Sequence, residues 1–209
     1  MKIQTAIDRV SLERMLEIGE AVCGISDIVE IGTSLIKDYG MQISVGTMRK
    51  RFPQMCILAD IKTCDEGEYE FRKAYESGAD IAVVMGFSST STIKACAAVA
   101  GEYGKEYLID LLELPDERVR ALADRFPEAI FGIHLPSDLQ GEGLTELVLK
   151  KMKLLGGVHA VAAAGGVKPE NLSFLKNAGV DIAIAGGAIT GAGDIKAAAE
   201  TFARTAARV

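Results

Sequence analysis

The stretch ILADIKTCDEGE, residues 57–68, decides the fold. Its opening residues are apolar without alternation, the pattern of a strand covered on both faces. Asp60, Lys62 and Asp65 then fall within six residues, the first two at the end of the apolar run. A buried charge without a partner is costly even after relaxation. A strand end that carries this cluster therefore needs other charges, a cation or a ligand.

Similar runs recur along the whole chain, beginning near residues 3, 27, 55, 80, 105, 128, 158 and 180. Between them lie segments of helical periodicity, such as SLERMLEIGEAV, where Leu12, Met15, Leu16 and Ile18 mark one face. Ser11 is placed to cap that helix, with Glu13 in its first turn. Glycines at 40, 78, 104 and 179 stand where helices should end. Eight β-then-α units predict a single (β/α)8 TIM barrel over residues 1–209, with a doubly wound open sheet as the alternative.

Composition narrows the function. The chain has 209 residues, 49% of them hydrophobic, enough for a full core. A net charge of −6 supplies no basic stripe for nucleic acid. Cys23, Cys56, Cys64 and Cys96 are scattered without a CxxC pair, which predicts reduced thiols in a cytoplasmic protein. The charged N-terminal segment is unlike a signal peptide, and no apolar run approaches the length of a membrane span.

In a barrel of this kind, chemistry belongs at the C-terminal strand ends. The polar residues expected there are Asp8, Glu30, Asp60, Lys62, Asp110 and His134, followed by the pairs Gly165-Gly166 and Gly186-Gly187. Six ionisable groups at one mouth call for compensation. Carboxylates without a Cys/His cluster point to Mg2+ as the compensating cation. The glycine pairs suit phosphate held by backbone N–H groups, although tight βα turns alone would also use them. Lys62 as a surface lysine, His134 as an ordinary core histidine and a Glu30–Lys62 pair serving stability alone are the plainer alternatives. His159, at the opposite rim, reads as structural, and Asp38, Glu113, Asp116 and Asp138 are assigned no chemistry.

ADIKTCD matches the D-x-K-x-x-D motif of the orotidine 5′-monophosphate decarboxylase suprafamily. IQTAID, DIVEIGTSLIKDYG, ADIKTCDEGEYE, GADIAVVMG, GKEYLIDLLEL, AAAGGV and DIAIAGGAITGA resemble successive blocks of the 3-hexulose-6-phosphate synthase and 3-keto-L-gulonate 6-phosphate decarboxylase family. The resemblance implies that Glu30 and Asp60 bind Mg2+ and that Lys62 stabilises a cis-enediolate of a keto-sugar phosphate. It further implies that Asp8 binds substrate hydroxyls and that Asp110 and His134 serve hydroxyl binding and proton transfer; by their place after the last two runs, Gly166, Gly186 and Gly187 are the residues expected to bind the substrate phosphate. Asp65 is implied to complete the site of the other subunit in a homodimer. Asp110, Ser137 and Ala164 stand where the decarboxylase pattern has Glu, Arg and Thr. The implied activity is therefore aldol condensation of D-ribulose 5-phosphate with formaldehyde, with the decarboxylase or a non-catalytic sugar-phosphate-binding barrel as alternatives. One block departs from the synthase pattern: HLPSDLQ, residues 134–140, follows the sixth run, with Leu135 and Pro136 beside the histidine.

Overall fold

The computed structural model describes residues 1–136, 139, 143–156 and 158–208. Eight strands, β1 (Lys2–Ile7), β2 (Ile28–Ile31), β3 (Ile57–Thr63), β4 (Ile81–Met85), β5 (Glu106–Asp110), β6 (Ile130–His134), β7 (Ala160–Ala164) and β8 (Ile182–Ala185), form one closed parallel barrel in sequence order. Pairing of Lys2 with Ile182 and of Thr5 with Ala185 joins β1 to β8, which excludes the open sheet. Among the described residues, no helix is long and apolar enough to cross a membrane. All four cysteines are free thiols.

The helices pack outside the barrel by the stripes that the periodicity predicts. In Leu12–Val22, Met15, Ile18, Gly19 and Val22 are buried, whereas Leu12 and Leu16 lie only partly covered. The Ser11 hydroxyl accepts the Arg14 N–H at 3.2 Å, as an N-cap should. The four glycines expected at helix ends all adopt positive φ. A large apolar cluster, including Phe71, Phe131 and Phe202, fills the space between barrel and helices.

A smaller cluster of Ile28, Leu58, Ile81, Val83, Leu108, Ile130, Ala162 and Ile182 fills the barrel itself. Side chains alternate across a strand, so residues two positions further on share this inward face. Those positions are Glu30, Asp60, Asp110 and Ala164, with His134 four past Ile130. The apolar plug is thus the floor on which the charged layer stands.

The third strand runs further than the apolar pattern suggests, through Lys62 to Thr63. Ala59 pairs with Ala82 but Thr63 with Val84, so β3 carries extra residues between those pairings. Lys62 sits in this irregularity with φ +48°, a left-handed conformation that is unfavourable for a side chain with a Cβ. Bulges of this kind re-aim a side chain. Here the ammonium group comes back over Asp60.

Candidate active site

A cavity of about 740 Å³ opens at the C-terminal strand ends, and Asp8, Glu30, Asp60, Lys62, Asp110 and His134 all line it. Gly166, Gly186 and Gly187 line it too. The polar residues expected at one mouth are therefore all brought together.

Asp60 and Lys62 form the centre. Lys62 Nζ donates to Asp60 Oδ2 at 2.7 Å and lies 3.7 Å from Asp110 Oδ2. Burial disfavours the Lys62 ammonium, but the charges of Asp60, Asp110 and Glu30 outweigh it and hold its pKa above the ordinary lysine value. Thr33 Oγ1 also donates to Asp60 Oδ2, at 2.9 Å. The other oxygen, Asp60 Oδ1, is buried and has no partner among the described residues.

Glu30 does not pair with Lys62. Its hydrogen-bond partner is Gln4, whose Nε2 donates to Glu30 Oε2 at 2.5 Å. Burial and then the neighbouring Asp60 charge push the Glu30 carboxyl up to about 8. An acid so displaced, beside an orphaned carboxylate oxygen, lacks positive charge. Among the described residues, no group of three or more Asp, Glu, His or Cys side chains could by itself hold a metal ion. Two carboxylates are nevertheless the usual protein share for Mg2+, which keeps waters and takes substrate oxygens for its other positions. The donor set fits that ion.

His134 closes the row. Its Nδ1 hydrogen-bonds Asp110 Oδ2 at 2.8 Å, and Asp110 Oδ1 accepts the Leu112 N–H at 2.8 Å. With a carboxylate as acceptor, Nδ1 carries a proton, so in the neutral ring the lone pair is on Nε2. The pair is an oriented base within reach of the same space as the Lys62 ammonium.

Asp8 is held by Ser34, whose N–H and hydroxyl donate to Oδ1 at 3.2 and 2.8 Å. Gly32 makes this possible, because a Cβ there would lie 2.2 Å from the Asp8 carboxyl group. After β7, Gly165 and Gly166 have φ of +95° and +79°, and Asn171 Nδ2 donates to the Gly166 carbonyl at 2.9 Å. Lys168 lines the cavity beside that turn.

Asp65 is exposed just before the helix Gly67–Glu76 and does not line its own chain's cavity. His159 precedes β7 at the opposite end, where Nε2 lies 3.5 Å from Glu106 Oε1. Leu135 is buried with its carbonyl and Cβ against Gly165, so it packs behind the site and does not line it. Ser137 and Asp138 lie outside the described residues.

Sequence reasoning assigned no role to Gln4, Thr33, Ser34 or Lys168. Gln4 was accessible through parity, since Gln4, Ala6 and Asp8 share one face of β1 and all line the cavity. Thr33 and Ser34 carry no such signal, because their partners Asp60 and Asp8 come from other strands.

Relatives share this architecture throughout. A curated 3-hexulose-6-phosphate synthase from Methylomonas aminofaciens is 38% identical over 198 residues, covering 94% of each chain. A solved structure of 3-hexulose-6-phosphate synthase superposes with a TM-score of 0.89 at 33% identity, covering 98% of this chain and 99% of that one. The 3-keto-L-gulonate-6-phosphate decarboxylase of Vibrio cholerae superposes with a TM-score of 0.85 at 27% identity, covering 99% and 97%. The model of the orotidine 5′-phosphate decarboxylase / HUMPS family matches residues 1–202. With barrel, strand-end charges and family model in agreement over nearly the whole length, the chain belongs to the orotidine 5′-phosphate decarboxylase / HUMPS family.

Proposed function

We propose that this chain is a lyase of the 3-hexulose-6-phosphate synthase type, joining D-ribulose 5-phosphate to formaldehyde and catalysing the reverse cleavage. The observation that carries this reading is the linked set Asp60–Lys62–Asp110–His134, an ammonium and an oriented base facing one cavity. Glu30 and Asp60 would hold Mg2+, which when bound supplies positive charge beside two adjacent sugar oxygens.

The chain's own residues do the rest. His134 Nε2 removes a proton from the hydroxymethyl carbon next to the ketone, and the C–H electrons move into an enediolate. Lys62 lies where that negative charge develops, already charged before the reaction begins. The enediolate carbon attacks formaldehyde, and the carbonyl electrons pass to its oxygen, which takes up a proton. Asp8 binds sugar hydroxyls, while Gly166, Gly186, Gly187 and Lys168 receive the phosphate. Asp65, exposed and outside its own cavity, would complete the site of a second copy in a homodimer.

Three positions favour the synthase over the sister decarboxylase. Asp110 and Ala164 have the synthase identities, and Ser137 lacks the guanidinium of the decarboxylase pattern. Decarboxylation of 3-keto-L-gulonate 6-phosphate should be a minor side reaction.

Proton NMR in D2O tests the enediolate. With ribulose 5-phosphate, Mg2+ and no formaldehyde, the hydrogens on the hydroxymethyl carbon should exchange for deuterium, and His134→Asn should slow the exchange. Product formation by an enzyme that never exchanges those hydrogens would contradict the mechanism.

A further inference from the structure

We infer that Gln4 is a positioning residue of the cation site: its amide N–H fixes the Glu30 carboxylate, and its carbonyl oxygen accepts from a water of the ion's hydration shell. The inference rests on the proposed Glu30/Asp60 cation reading and extends it to a residue outside the charged set.

Gln4 lies on the inward face of β1 and lines the cavity, yet it is only 1% exposed. As the ionised ligand of the proposed cation, Glu30 can only accept, so the 2.5 Å contact orients Nε2 toward Glu30 Oε2 and turns Oε1 away from it. That Oε1 is buried and without a partner among the described residues. Among the described residues, its companion in this condition is Asp60 Oδ1, on the other proposed ligand. Two orphaned acceptors thus belong to residues that either hold or form the Glu30/Asp60 pair.

The register partners of Gln4 on the flanking strands are apolar, Ile28 on β2 and Ile184 on β8, and both belong to or pack against the cluster that fills the barrel. An aliphatic side chain at position 4 would remove the orphan and suit those neighbours better. Buried polar groups normally have partners, and one that lacks its partner needs an explanation. Mg2+ held by two carboxylates retains several waters, and each water is a hydrogen-bond donor. An acceptor facing such a shell acquires its missing partner when the ion binds. Residues that orient a ligating carboxylate in this way tune the affinity of the ion.

The test is Mg2+ titration calorimetry on the substrate-free protein, comparing wild type with Gln4→Leu and with Gln4→Met, which keeps the length of the side chain. Water-proton relaxation with Mn2+ as probe reads the hydration of the bound ion, and thermal melts report folding. The expected result is Mg2+ affinity about 10–100-fold weaker in both variants, with altered relaxation. The melting temperature without metal should equal or exceed that of wild type. Affinity within twofold of wild type in either folded variant overturns the inference. Weakened affinity accompanied by a lowered melting temperature in both variants also overturns it, because Gln4 would then serve the fold. Wild-type protein that takes up no Mg2+ refutes the cation reading itself, a result distinct from equal uptake by wild type and variants.

Discussion

Asp80 and Glu30 are acids at opposite rims of the same barrel, and their surroundings push them in opposite directions. Asp80, just before β4 at the N-terminal rim, accepts from Lys105 Nζ at 2.6 Å, from the Ile57 N–H at 2.9 Å and from Arg49. Burial raises its pKa, but Lys105, the Ile57 N–H and the Arg49 charge outweigh that and hold it below the ordinary carboxylate value. Glu30 meets burial and the Asp60 charge, with Gln4 and the more distant Lys62 too weak to compensate, and rises to about 8. The N-terminal rim completes its ion pairs and so stabilises the fold. The C-terminal mouth leaves its set incomplete, and the proposed cation would complete it, a common form of the trade between stability and activity.

The largest effects should come from breaking the incomplete set. Lys62→Ala should lower kcat/KM by about 10²–10³, the loss typical of removing one preorganised electrostatic group. Steady-state kinetics checks this, and a loss under tenfold would remove Lys62 from the charge-stabilising role. Asp65→Asn should also be inactive alone. Mixed with Lys62→Ala under subunit exchange, it should recover up to about half the wild-type rate per heterodimer, since two-fold assembly leaves one site intact. No recovery despite demonstrated exchange would return Asp65 to its own subunit. Asp110→Asn should cost on the order of 10² in kcat, because it frees the His134 tautomer while leaving the imidazole in place.

Stability should respond with the opposite pattern at the two rims. The folded-state pKa of Glu30 is raised, so its contribution to stability is fully present below the unfolded value of 4.5 and is lost as pH rises toward about 8. In chelator, Glu30→Gln should therefore raise Tm at pH 8 and leave it little changed at pH 4. Asp80 has a lowered pKa, so its contribution is present above 3.8 and is lost as pH falls through the folded value. Asp80→Asn should lower Tm at pH 7 by about 4–8 °C, corresponding to about 2 kcal/mol, with kcat unchanged within twofold. Equal Tm shifts of one sign in both variants would erase the contrast. The smallest effect belongs to His159→Gln, whose 3.5 Å contact with Glu106 is exposed. Activity should stay within twofold.

Much of this contrast was legible in the sequence, and for a physical reason. Continuous apolar runs followed by Asp8, Asp60, Asp110 and His134 announce parallel strands whose ends carry charge, and parity along a strand tells which side chains share a face. The unread part is whatever depends on two strands meeting. The bulge that turns Lys62 back over Asp60 is a mismatch of register between β3 and β4, invisible in either alone. Likewise, Thr33 and Ser34 reach Asp60 and Asp8 only because the helix Thr33–Tyr39 begins directly after β2, between β1 and β3. The Glu30–Gln4 bond depends on Gln4↔Ile28 register across β1 and β2, which places the amide next to the acid.

Formaldehyde-dependent consumption of D-ribulose 5-phosphate, measured on chelator-treated protein with and without added Mg2+, tests the central claim most directly. The account predicts negligible turnover without the ion, full recovery on adding it, and loss of recovery in Asp60→Asn. Full turnover in metal-free buffer, or no formaldehyde-dependent consumption beside efficient CO2 release from 3-keto-L-gulonate 6-phosphate, would contradict it.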